Sequence, residues 1–180
     1  MAATGKLDDL GPRICILGPS NSGKSTLAAA IAATRAVQPI HLDQLRHLPG
    51  TDWVERPDDE FAALHGTAIQ GERWVMDGNY ITHVPVRVAR ATGVILLDVP
   101  IAVSLARYIR RCVLPQHRIG GLAGGRDSVK WAMIHHIAVS TPRYRRRYAA
   151  MVLGSSLPVI RLDTPAALTR FYRDEGLRRL

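Results

Sequence analysis

The stretch Gly18-Pro19-Ser20-Asn21-Ser22-Gly23-Lys24-Ser25-Thr26 constrains this chain more than any other. It satisfies the pattern G-x-x-x-x-G-K-[ST] at every required position. Its flanks agree with it. Arg13-Ile14-Cys15-Ile16-Leu17 is a short apolar run that reads as a buried strand. Leu27 to Arg35 is Ala-rich and free of Gly and Pro, so it reads as a helix. A strand, a glycine-rich turn and a helix start form a cradle for an anion. Gly18 and Gly23 let the backbone curl so that successive amides face one point. The helix opening at Lys24 adds its positive dipole end there. Lys24 is expected to reach outer phosphates as a point charge, and Ser25 to ligate Mg²⁺. The bland alternative is a Gly/Ser-rich surface turn, which leaves the matching flanks to coincidence.

The length of 180 residues suits one domain with a full core. No apolar run reaches membrane-spanning length. Residues 1–12 carry Lys6, Asp8 and Asp9 without an apolar signal core, and read as a flexible leader to a domain of 13–180. Cys15 falls in an expected strand and Cys112 in an expected helix. Neither suggests a disulfide framework or a zinc site, so the expected compartment is the reducing cytoplasm.

The formal charge of +9 is unevenly placed. Ser104 to Met151 holds nine arginines, Lys130 and a single acid, Asp127. The rest of the chain is neutral. The basic segment is expected to face phosphates or nucleic acid.

Further strands are expected at Pro39–Leu42, Trp74–Met76, Val94–Leu97 and Leu157–Leu162. Helices are expected from Pro57 to about Gln70, Val84 to Ala91, Ile101 to Val113 and, as one or two helices, across 129–152, with Pro142 marking a break or a kink. Gln44 to Thr51 reads as a loop with a Pro49-Gly50 turn. Thr164 and Pro165 signal the cap and first position of a last helix. Strands alternating with helices imply an α/β fold with a parallel sheet covered on both faces.

With the phosphate loop, His41-Leu42-Asp43, Pro49-Gly50, Trp53-Val54-Glu55 and Trp74-Val75-Met76-Asp77-Gly78-Asn79-Tyr80 in view, the sequence resembles a known family. This is the adenylate-kinase-like P-loop group often labelled "DNA topology modulation protein" or small AAA-family ATPases. The match runs from Ile14 to about Pro100. The resemblance implies a three-layer P-loop NTPase fold, with five strands in the order 2-3-1-4-5. It also implies a glycine-rich arginine lid over about 114–147. Adenylate kinase follows its Asp-Gly pair with Phe-Pro-Arg; here Asn79-Tyr80-Ile81 stands instead, a departure that counts against a nucleoside monophosphate acceptor.

Phosphoryl transfer needs positioning, a metal and positive charge around the moving group. Lys24 and Ser25 supply the first parts. Asp77 and Asp98 each end a strand and compete as the second Mg²⁺ ligand, with Asp77 favoured by its Gly78 and the family layout. Either could instead cap a turn. Asp43 is expected at a strand's C-terminal end, where α/β sheets hold ligands, as a base for an acceptor hydroxyl; a local cap is the plain alternative. Arg107 and Arg111 share a helix face, and Arg126 lies among glycines that could close over phosphates. Arg110 and Arg118 read as solvated. Arg143, Arg145, Arg146 and Arg147 stay open among lid, nucleic-acid patch and surface. Adjacent His135 and His136 diverge by about 100° on a helix and read as ordinary helix residues. Trp53, Trp74 and Trp131 are expected to pack. The favoured function is ATP- and Mg²⁺-dependent transfer to a nucleotide or small metabolite, from a monomer or homodimer away from membranes. A nucleotide-regulated DNA-binding protein and a simple ATPase are the other readings.

Overall fold

The computed structural model describes residues 5–113, 119–121 and 131–179, apart from the side chains at 132, 140 and 142. Among these, five parallel strands form one sheet in the order β2-β3-β1-β4-β5. They are β1 (Arg13–Leu17), β2 (Pro39–His41), β3 (Trp74–Asp77), β4 (Gly93–Leu97) and β5 (Val159–Leu162). The expected strand order and fold class therefore hold.

Strand side chains alternate between two cores. Ile14, Ile16, Val75, Ile95, Leu97, Ile160 and Leu162 face one side, under α1 (Lys24–Thr34) and α8 (Pro165–Asp174). Cys15, Leu17, Trp74, Met76, Val94 and Leu96 face the other, with Val84 of α4 (Val84–Arg90) and Tyr148 and Val152 of α7 (Thr141–Leu153). Burial on both faces explains why these strands read as apolar runs without polar alternation. Thr164 caps α8: its hydroxyl accepts from the Ala167 amide at 3.0 Å.

The remaining helices are α2 (Leu42–Arg46), α3 (Asp58–Ala68), α5 (Ile101–Val113) and α6 (Trp131–His135). A π-helical turn, His136–Ser140, joins α6 to α7. The break or kink expected at Pro142 coincides with this widened turn, which ends two residues before the proline.

Three expectations change. The leader is not loose from Leu7 onward, where Leu7–Leu10 forms a 3-10 turn with both leucines buried. Arg35 donates to the Leu7 and Gly11 carbonyls, and Thr92 Oγ1 donates to the Leu10 carbonyl at 2.7 Å. The expected loop over Gln44–Thr51 starts within α2, because Leu42 is buried and pulls the chain into a helical turn. Trp131, expected to pack, stands 77% exposed at the start of α6. Trp74 is buried, while Trp53 sets its ring edge-on to His47 at 5.1 Å. Both thiols are free, and no described helix is long and apolar enough to cross a membrane.

Candidate active site

The phosphate loop leaves β1 and enters α1 as its sequence demands. Gly18 has φ 153°, and a Cβ there would stand 2.5 Å from the Leu97 carbonyl oxygen. Only glycine allows this approach to β4. Gly23 caps α1 with φ 102°, in the left-handed region. Ser22 N–H closes a turn onto Pro19 O at 3.2 Å. Lys24 Nζ reaches back across the loop to Pro19 O at 2.8 Å. Ser20, Asn21 and Thr26 are partly exposed around it.

Ser25 Oγ donates to Asp77 Oδ2 at 2.7 Å. The sequence left two aspartates in competition here, and the geometry separates them. Asp98 pairs with Arg145 and Arg161. Burial works to raise its pKa, but hydrogen bonds from the two guanidinium groups prevail and hold the carboxyl below its usual range. Asp77, by contrast, lies with the loop serine. A hydroxyl and a carboxylate side by side are hard oxygen donors, the kind Mg²⁺ takes from protein while keeping waters. Among the described residues no group of three or more His, Cys, Asp or Glu gathers as a metal cluster.

Arg107 and Arg111 act on the loop itself. Arg107 Nη1 donates to Ser22 O at 2.7 Å, and Arg111 Nη1 to Asn21 Oδ1 at 2.6 Å. Their four-residue spacing puts both on one face of α5, as expected, and that face meets the loop. Arg126, Arg118 and Lys130 lie outside the described residues. Arg145 is a structural tie from α7 to the end of β4. Arg110, Arg143, Arg146 and Arg147 are exposed, as are His135 and His136.

Asp43 sits in the first turn of α2, directly after β2. It accepts from the Tyr80 hydroxyl at 2.8 Å. Burial, then the Asp43 charge, pushes the Tyr80 pKa above its ordinary value, so the phenol keeps its proton and donates. Tyr80 has φ 37°, a strained conformation for an aromatic residue. That geometry turns its ring onto Phe61, at 4.9 Å between centroids.

Four contacts were not anticipated from sequence. Asn79 Nδ2 donates to Gly18 O at 2.8 Å, while its Oδ1 accepts from Gly18 N at 3.1 Å, clamping the loop's first residue to the β3 turn. Arg87, wholly buried, donates to the carbonyls of Gly78 at 2.8 Å and Asn79 at 3.0 Å. His41 Nδ1 meets Asp77 Oδ1. His65 lies buried between Phe61, His83 and Arg87. The Asp77-Gly78-Asn79-Tyr80 motif marked the right loop; its partners come from distant strands and helices.

Burial, then the charges of Arg87 and His83, lower the His65 pKa to about 4. An unfolded chain takes up that proton near pH 6.5, the ordinary histidine value. The stability contributed by neutral His65 is therefore complete above about pH 6.5 and is lost as pH falls toward 4. By about pH 5 the loss is on the order of 2 kcal/mol. Urea unfolding at about pH 7.5 and about pH 5 is expected to show this fall in the natural chain and a smaller one in His65→Gln. An equal fall in both would remove His65 as the cause.

No known family model matches this chain, and no curated protein does. Among solved structures it is similar to a gluconokinase from Sinorhizobium meliloti 1021, with 16% sequence identity and a TM-score of 0.51. The similarity covers 92% of this chain and 90% of that one. The chain has a P-loop kinase-like fold. At this identity the likeness shows the fold alone.

Proposed function

We propose that this protein is an ATP- and Mg²⁺-dependent phosphotransferase acting on a small metabolite or nucleotide acceptor. The observation that carries the reading is the Ser25–Asp77 contact of 2.7 Å, set where the phosphate loop enters α1. The residues present fit both cofactors. The curled loop from Gly18 to Thr26 offers its amides to a polyphosphate, and Lys24 adds a point charge. Ser25 and Asp77 would hold the metal, which, when bound, neutralises phosphate charge. Arg107 and Arg111 keep the loop in shape through Ser22 and Asn21. Asp43, oriented by the Tyr80 hydroxyl, takes the proton of the acceptor's hydroxyl. The gluconokinase likeness supports the fold this chemistry needs.

Purified chain with Mg²⁺ and ATP, offered nucleotides and hydroxyl-bearing metabolites, is expected to yield ADP and one phosphorylated acceptor, read by phosphorus NMR. ADP formation without any acceptor product across the panel would speak for a simple ATPase instead. Asp43→Asn is expected to lower turnover about 100-fold or more, within the usual worth of a general base. ATP affinity by calorimetry should stay near that of the natural chain. Unchanged turnover removes Asp43 from the chemistry.

A further inference from the structure

The Ser25–Asp77 contact belongs to a longer chain of side chains. Parallel pairing of β2 with β3 sets His41 directly beside Asp77. Asp77 Oδ1 meets His41 Nδ1, and Asp77 Oδ2 accepts from Ser25 Oγ. The two carboxylate oxygens therefore have separate duties. A carboxylate turns about its last torsion in a broad, two-fold well. A donor fixed on one oxygen decides which way the other faces. His41 is well placed to be that donor, because its side chain is only 7% exposed and that of Asp77 only 6%.

A second segment also reaches the ring. Gly120 packs against it so closely that a Cβ there would stand 2.9 Å from His41 Cγ and 3.0 Å from Ser25 Cβ. Gln44, three residues beyond His41, donates to Gly121 O at 3.1 Å and fastens the same segment. The imidazole thus meets both the Asp77 carboxylate and the segment that carries Gly120.

The geometry points to His41 as the positioning residue of Asp77. It ties Oδ1 so that Oδ2 stays aimed at Ser25 and at the divalent cation the pair would hold. This role rests on the phosphotransferase reading. Outer-shell partners of this kind are commonly worth about 10- to 100-fold in metal affinity or activity.

The test is Mn²⁺ binding to the full chain in the presence of ADP, followed by electron paramagnetic resonance without turnover. Three proteins are compared: the natural chain, His41→Ala and His41→Asn. The Asn side-chain nitrogen stands as many bonds from the backbone as His Nδ1, so it can donate to the same oxygen. His41→Ala is expected to weaken Mn²⁺ binding about 10- to 100-fold and to raise the Mg²⁺ needed for half-maximal ATP turnover in step. His41→Asn is expected to stay within about 3-fold of the natural chain on both measures. Metal-free ADP binding should be the same in all three, which shows an intact loop. Should the alanine variant fail to fold, His41→Phe, which fills the ring's place without a donor, takes over. Mn²⁺ affinity unmoved by loss of the donor overturns the role, and so does an asparagine variant as weak as the alanine one. A natural chain that binds neither ADP nor Mn²⁺–ADP overturns the phosphotransferase reading, and this role with it.

Discussion

Lys24→Ala is expected to lower ATP turnover by about 100- to 1,000-fold, the usual cost of removing one preorganised charge donor from a reacting group. A phosphoryl group in transfer spreads negative charge over its oxygens, and a fixed cation is worth most where water is scarce. Lys24 is the first residue of α1, so its ammonium works beside the helix's own positive end. Its Nζ already turns over the loop to Pro19 O. Lys24 is only partly buried, so its loss should leave the melting temperature within a few degrees. Turnover and ATP binding are therefore measured alongside a thermal melt. Lys24→Arg serves as the control, because it keeps the charge and alters the geometry. If Lys24→Ala turns over ATP at the natural rate, the loop is not a phosphate site and the proposed chemistry loses its base.

The fold was legible where its determinants are local. Ile14 to Leu17, the glycine-rich turn and the alanines of α1 each signal their own structure from neighbours in sequence. The same holds for Thr164 and Pro165 at α8. The site was legible in part, since Lys24, Ser25, Asp77 and Asp43 all sit at the C-terminal edge of the sheet, where open α/β folds keep ligands. What escaped were partnerships across long separations. That His41 touches Asp77 depends on the β2–β3 register, which no local pattern states. That Asp98 is occupied depends on Arg145 and Arg161 arriving from α7 and β5. A run of arginines reads as surface, and Arg143, Arg146 and Arg147 are surface; Arg145 turns inward to the part-buried Asp98 carboxylate. Leu7 and Leu10 looked like a leader because two leucines are too few to show a period.

Arg87→Met is expected to lower the melting temperature by roughly 6–12 °C, from a destabilisation of about 3 kcal/mol in a chain of this size. Two terms oppose each other. Methionine removes a guanidinium with no solvent exposure, whose burial holds its pKa below the ordinary arginine value, and that relief is stabilising. It also strips the buried Gly78 carbonyl and the part-buried Asn79 carbonyl of their donor, at about 1–3 kcal/mol for a buried acceptor left alone and less for a part-buried one. The second term is expected to win, because two carbonyls share one guanidinium nitrogen and methionine offers neither a replacement. Function should suffer beyond stability. The Gly78-Asn79 turn that Arg87 holds is the one whose Asn79 side chain grips both polar atoms of Gly18. Loosening it frees the start of the phosphate loop, so ATP should bind more weakly even far below the melting temperature. Asn79→Ala isolates that step, since it cuts the grip on Gly18 and leaves Arg87 in place. It should reproduce the loss of ATP affinity with a smaller fall in melting temperature. A methionine variant that melts with the natural chain would show that desolvation of the buried cation outweighs its two carbonyl bonds. Arg87 would then be a guide for the loop rather than a support for the fold.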